Sequence, residues 1–146
     1  MSIRFLLIFF PLVFILFSGC ATGPKYTEVA SSFDALEPDK GRIFLYRPSS
    51  FGAAIQPEVK LNDVVVGKAV PHGFFFVDRL PGEYEVVTST EVERSLSLTL
   101  EKGEIRYVRL SISMGFFVGH VYPELVESTV AQEEIETLSY IGGSHE

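Results

Sequence analysis

The segment Ser95-Leu96-Ser97-Leu98-Thr99-Leu100 alternates hydroxyl and leucine side chains without a break. In an extended chain successive side chains point to opposite faces, so the leucines share one face and the hydroxyls the other. A helix would scatter both sets around its circumference. The stretch is therefore constrained to be a half-buried strand. After the turn Glu101-Lys102-Gly103-Glu104, residues Arg106 to Met114 place Val108, Leu110, Ile112 and Met114 on the inward parity. With Tyr84, Val86 and Thr88 upstream, the region from Leu80 to Met114 reads as an antiparallel meander with one wet face.

Other stretches repeat the strand signal. Arg42 to Arg47 are apolar or aromatic on both parities, as in a central strand covered on each side, and Pro48 stops it. Residues 57–61 and 64–70 flank Asn62-Asp63, two residues that tolerate positive φ and favour a tight hairpin. Phe74 to Asp78 form an aromatic strand ended by Arg79-Leu80-Pro81-Gly82. A final strand is expected over residues 118–126, interrupted at Pro123. A helix is expected over about residues 130–139, with Thr129 and Gln132 as a capping box and Ala131, Ile135 and Leu138 as its apolar stripe. Glu133, Glu134 and Glu136 fall on its solvated face, and Gly142-Gly143 end it. The fold class is mainly β: a small antiparallel β-sandwich or half-barrel with one C-terminal helix.

The N-terminus has a different character. Phe5 to Phe17 form an apolar run of 13 residues broken only by Pro11, which is too short to span a bilayer as a helix. Small Ser18 and Gly19 follow, then Cys20, the one cysteine in 146 residues. Phe17-Ser18-Gly19-Cys20 resembles the bacterial lipoprotein signal, with Phe17 where leucine is commonest. In that signal the cysteine thiol is joined to diacylglycerol, and the cysteine becomes residue one. The resemblance implies a signal peptide over 1–19, lipidation at Cys20 and, with Ala21 next, an outer-membrane anchor with the domain facing the periplasm. Two or three acyl chains hold a protein stably where one does not.

Residues 20–40 mix small, polar and charged side chains and read as a lipidated tether with a reach of roughly 25 Å if flexible. Within it Val29, Phe33 and Leu36 have helical spacing behind Thr27, which allows a short helix resting on the domain. The β domain and its helix occupy 41–146. Arg4 is the only charge in the first 19 residues, so the remainder carries 11 basic and 19 acidic side chains, a net −8. That balance argues against nucleic acid and against attraction to anionic lipid.

Gly41-Arg42-Ile43-Phe44-Leu45-Tyr46-Arg47 resembles the opening strand of a family of short prokaryotic lipoproteins of unknown function that share one small β domain. Leu61-Asn62-Asp63, Gly67, Phe74 to Asp78, Pro81-Gly82-Glu83-Tyr84 and Glu101 to Arg109 match later parts of its pattern, with Asp63 replacing the usual glycine. The resemblance implies a lipid-anchored β domain and no reaction, cofactor or catalytic residues.

The residues themselves agree with that silence. His72, His120 and His145 lack metal-ligand spacing, and no G-x-S-x-G elbow, phosphate loop or dinucleotide fingerprint occurs. The expectation is a non-enzyme with no metal and no cofactor. Two apolar connections offer contacts instead: the loop 48–57 with Phe51 and Ile55, and Gly115-Phe116-Phe117. They either meet an envelope protein partner or fold back over the ends of the sandwich. Arg42, Arg47 and Arg79 are candidates to pair with Asp78 or Glu83. The functional expectation is a membrane-anchored binding or structural module of the cell envelope. A cell-wall-associated structural protein is the alternative, and a small envelope enzyme a more distant one.

Overall fold

The computed structural model describes residues 19–115 and 119–142. Among the described residues nine strands form two sheets: β1 (Gly41–Arg47), β2 (Glu58–Leu61), β3 (Val64–Lys68), β4 (Gly73–Arg79), β5 (Gly82–Ser89), β6 (Glu93–Leu100), β7 (Ile105–Met114), β8 (Gly119–Val126) and β9 (Ser139–Tyr140). One sheet has the order β8-β7-β1-β4-β9 and the other β3-β2-β5-β6. Two helices complete the described chain, α1 (Tyr26–Val29), which runs into a 3-10 turn over Ala30–Ser32, and α2 (Ser128–Ile135). The expected small β-sandwich with a C-terminal helix is the architecture found.

β1 is the centre of the larger sheet, and all seven of its residues are buried. Ile43 and Leu45 face the smaller sheet and join Val59, Leu61, Phe75, Leu98, Leu100, Val108 and Leu110 in the inter-sheet core. Phe44 and Tyr46 point the other way, into a second core with Phe74, Phe76, Tyr107, Ala131, Ile135 and Leu138. This alternation explains why β1 is apolar on both parities: it has a core on each side.

The smaller sheet is antiparallel throughout, but the larger one is mixed. β1 pairs antiparallel with β4 and parallel with β7, and β4 pairs parallel with β9. The expected meander from Leu80 to Met114 is therefore divided. β5 and β6 form a hairpin in one sheet, and β7 crosses to the other. Gly103, with φ 74, turns the corner, where its amide donates to the Lys40 carbonyl at 2.9 Å and the Arg42 amide donates to that of Glu104 at 2.9 Å. Period-two alternation reports which face is buried; it carries no information about which sheet a strand joins. Parity turns Met114 inward, yet it is 74% exposed because β7 has run past the end of the sandwich.

Local turn chemistry is obeyed closely. Asn62 and Asp63 have φ of 46 and 67°, the left-handed pair that a type I′ hairpin needs. Asn62 Oδ1 also accepts from the Glu85 amide at 2.8 Å, tying the turn to β5. Pro123 does not interrupt β8, which is an edge strand where a missing amide costs no ladder bond.

Two terminal readings change. Residues 21–33 are packed, not held away from the domain. Tyr26, Val29 and Phe33 cover the aromatic second core, and the Tyr26 amide donates to Leu138 while that of Tyr140 donates to Pro24. Without this cover Phe44, Phe74 and Phe76 would face water, so burial holds the segment down. The C-terminal helix starts at Ser128 and stops at Ile135, with Glu127 as N-cap and no side-chain capping bond. Thr129 and Gln132 are inside it, and Gln132 Nε2 instead reaches the Tyr107 hydroxyl at 3.3 Å. The chain leaves the helix early because Ser139 and Tyr140 gain sheet bonds beside β4.

Candidate functional site at the Cys20 end

β1 ends at Arg47, and that residue organises the loop after it. Its side chain is fully buried, with no carboxylate beside it among the described residues. Nη1 donates to the carbonyls of Ile55 at 2.6 Å and Ala69 at 2.7 Å, and Nη2 to those of Phe51 at 2.8 Å and Gly52 at 3.0 Å. Four carbonyl dipoles converge on one guanidinium, a geometry only arginine's planar fork provides. Burial pushes its pKa down, offset in part by the nearby Cys20 thiol when ionised. The sequence points to a carboxylate partner for Arg47; it has backbone carbonyls instead.

The loop held by Arg47 adjoins the other connection at this end. A Cβ on Gly52 would lie 3.1 Å from Ile112 Cδ1, and one on Gly119 would lie 3.0 Å from Ile55 Cδ1. Ile55 is folded partly onto the inter-sheet core, whereas Phe51 is 54% exposed. Phe116 and Phe117 lie outside the described residues, as do Phe17 and Ser18.

Cys20 is half-exposed and sits against the same loop. Gln56 Nε2 donates to the Gly19 carbonyl at 2.7 Å, and the Ala21 amide donates to the carbonyl of buried Pro71 at 2.9 Å. The structure thus gathers Cys20, Phe51 and Ile55, which are separated along the chain, at one end of the sandwich. It adds Met114, which parity turns inward.

The opposite end holds an open cavity of about 610 Å³ lined by Phe33, Asp34, Arg42, Phe76, Asp78 and Tyr140. Arg42 is the expected partner of Asp78, with Nε to Oδ1 at 2.6 Å and Nη2 to Oδ2 at 2.8 Å. Its Nη2 also donates to the Asp34 carbonyl at 3.0 Å, and its guanidinium lies 4.1 Å from the Phe76 ring centre. This arginine is engaged on its edge and on its face. It joins β1, β4 and the 33–40 segment.

A third polar group lies under α2. Glu134 accepts from the Tyr46 hydroxyl at 2.6 Å and from Arg109 Nε and Nη2 at 2.9 and 2.8 Å. Burial and the hydrogen bond to Glu134 push the Tyr46 hydroxyl well above its ordinary value. Burial alone would lower Arg109, but its bonds to Glu134 and Tyr46 outweigh that and raise it. Glu134 is thus not on the solvated face that its charge suggests. It lies three residues after buried Ala131 and four before buried Leu138, at the border of the apolar stripe, where the facing Tyr46 and Arg109 draw it inward.

His72 occupies the turn before β4 with φ 54°, and His120 Nδ1 lies 3.1 Å from Thr90 Oγ1. Among the described residues no three His, Cys, Asp or Glu side chains gather as metal ligands.

Fold and site together describe a two-sheet β domain whose N-terminal segment is docked on its outer face and whose cysteine emerges at one end. The chain belongs to the family described as protein of unknown function DUF2846, whose model matches residues 37–121. It is also similar to an uncharacterised protein of Haemophilus influenzae, 28% identical over 132 residues that cover 87% of this chain and 79% of that one.

Proposed function

We propose that the protein is a bacterial envelope lipoprotein, anchored through acyl chains on Cys20, whose periplasmic β domain acts as a binding or structural module and not as an enzyme. One observation carries this reading: the single cysteine follows a 13-residue apolar run and two small residues, directly before the folded domain begins. The half-exposed position of Cys20 supports it, since an acyl-carrying residue must reach solvent and lipid. Arg42, Arg47 and Arg109, the arginines with the most extensive bonding described above, are each occupied in holding elements together, which supports a structural or binding role. Acylation confines the domain to a thin layer and raises its effective concentration against neighbours in the same membrane.

The test is expression of the full chain and of Cys20→Ala, followed by fractionation and intact-mass measurement. The wild type is expected in the outer-membrane fraction with the mass of two or three acyl chains added at residue 20. A wild-type protein that stays soluble with no added acyl mass defeats the reading.

A further inference from the structure

We propose that the end of the sandwich carrying Cys20, Phe51 and Met114 rests directly on the lipid surface, so that the Arg42 cavity faces away from the membrane. This inference rests on the anchorage proposed above and adds to it an orientation and a contact surface.

Three independent features converge. First, no spacer separates the anchor from the domain. The residue after Cys20 is hydrogen-bonded to Pro71, and residues 24–26 are bonded to Leu138 and Tyr140. Acyl chains on the Cys20 sulfur would therefore hold this end within a few ångströms of the headgroups, in place of the roughly 25 Å that a flexible 20-residue tether allows.

Second, the loop after β1 and the facing ends of β7 and β8 carry no Asp, Glu, Lys or Arg and present apolar side chains at this end. Residues 48–57 contain no Asp, Glu, Lys or Arg, and neither do residues 110–115 or 119–123. Phe51 is 54% exposed and Met114 74% exposed, although Phe51 belongs to a loop whose backbone is fixed by Arg47. An aromatic ring held outward on a rigid loop is suited to the boundary between headgroups and acyl chains. The rim of the smaller sheet at this end carries both signs, with Glu91 in the turn after β5 and Glu93 opening β6 beside exposed Arg94 and Lys68.

Third, the strand geometry sets the other end apart. β1 runs from Gly41 to Arg47, and its register with β4 sets Arg47 opposite Gly73 and Gly41 opposite Arg79. Its seven residues separate the two ends by about 20 Å. With the Arg47 end on lipid, the cavity opens toward the periplasm, accessible to other envelope components.

The chain contains no tryptophan, so one introduced indole reports its own environment. Phe51→Trp, Met114→Trp and, at the far end, Leu80→Trp each replace an exposed apolar residue. Each full-length lipidated variant is reconstituted into phosphatidylcholine vesicles with and without lipid brominated on its acyl chains. The Phe51→Trp and Met114→Trp proteins are expected to lose about half their emission to brominated lipid, and the Leu80→Trp protein almost none. Equal quenching at the two ends, or none at either position of the Cys20 end, overturns the orientation while intact mass still reports the acyl chains. Quenching restored only by adding a native envelope extract also overturns it, in favour of a protein contact. A sample without acyl mass removes the anchorage itself and the inference with it.

Discussion

The Tyr46 hydroxyl donates to Glu134 at 2.6 Å, joining the central strand to the C-terminal helix across 88 residues of sequence. The same carboxylate takes both Nε and Nη2 of Arg109 on β7. Glu134→Ala removes the shared acceptor and leaves a guanidinium and a phenol without it, at an expected cost of about 2 kcal/mol. Urea unfolding is the measurement, with a lower midpoint and an unchanged slope expected.

The same pair gives an alkaline prediction. The folded-state pKa of Tyr46 is raised above its ordinary value of 10.0, and so is that of Tyr26, chiefly by burial. Above that value the unfolded chain releases these protons while the folded protein keeps them, so stability is complete below pH 10 and falls as pH rises further. Unfolding free energies at successive pH values above about 10 should decline more steeply for the wild type than for Tyr46→Phe. Equal slopes would mean that Tyr46 is not linked to folding.

Arg47→Met leaves the carbonyls of Phe51, Gly52, Ile55 and Ala69 without their shared donor. The expected loss is about 3 kcal/mol. The loop should also loosen before the domain unfolds, so limited proteolysis within residues 49–55 should accelerate under native conditions. Arg47→Lys should recover only part of the loss, because one ammonium lacks the fork.

Gly67 faces the ring of Phe75, and a Cβ there would sit 2.6 Å from Phe75 Cζ. Gly67→Ala is expected to cost about 1–3 kcal/mol by overpacking the inter-sheet core. Combining it with Phe75→Leu should cost less than the sum of the two single changes, because the ring is the obstacle. Thermal unfolding of the wild type, the two single variants and the double variant checks the coupling.

Weakening the docked N-terminal segment tests the second core. Phe33 lies 4.9 Å from Phe76 and 5.2 Å from Tyr140, centre to centre. Phe33→Ser should lower stability by about 2 kcal/mol although the residue lies before the family-matched region. A change within a few tenths would mean that the segment behaves as the free tether read from its composition.

Much of the strand content was legible because it follows from local rules. Leu96, Leu98 and Leu100 share a face by period two, and Asn62-Asp63 turns because both residues accept positive φ. The two-sided burial of β1 followed from its apolar residues on both parities. Glu134 and the docking of residues 21–33 were harder to see. A short mixed segment resembles a linker until the aromatic face awaiting it is known, and a glutamate on a helix looks solvated until a buried tyrosine and arginine meet it.

The sequence by itself determined the strands, the hairpin turn and the singular position of Cys20, since each depends on residues within about ten positions of one another. Only the tertiary structure decided the parallel pairing of β1 with β7, the carbonyl cage around Arg47 and the gathering of Cys20 with Phe51 and Met114. Those relationships join residues distant along the chain, and side-chain periodicity carries no record of which distant strand will supply the neighbour.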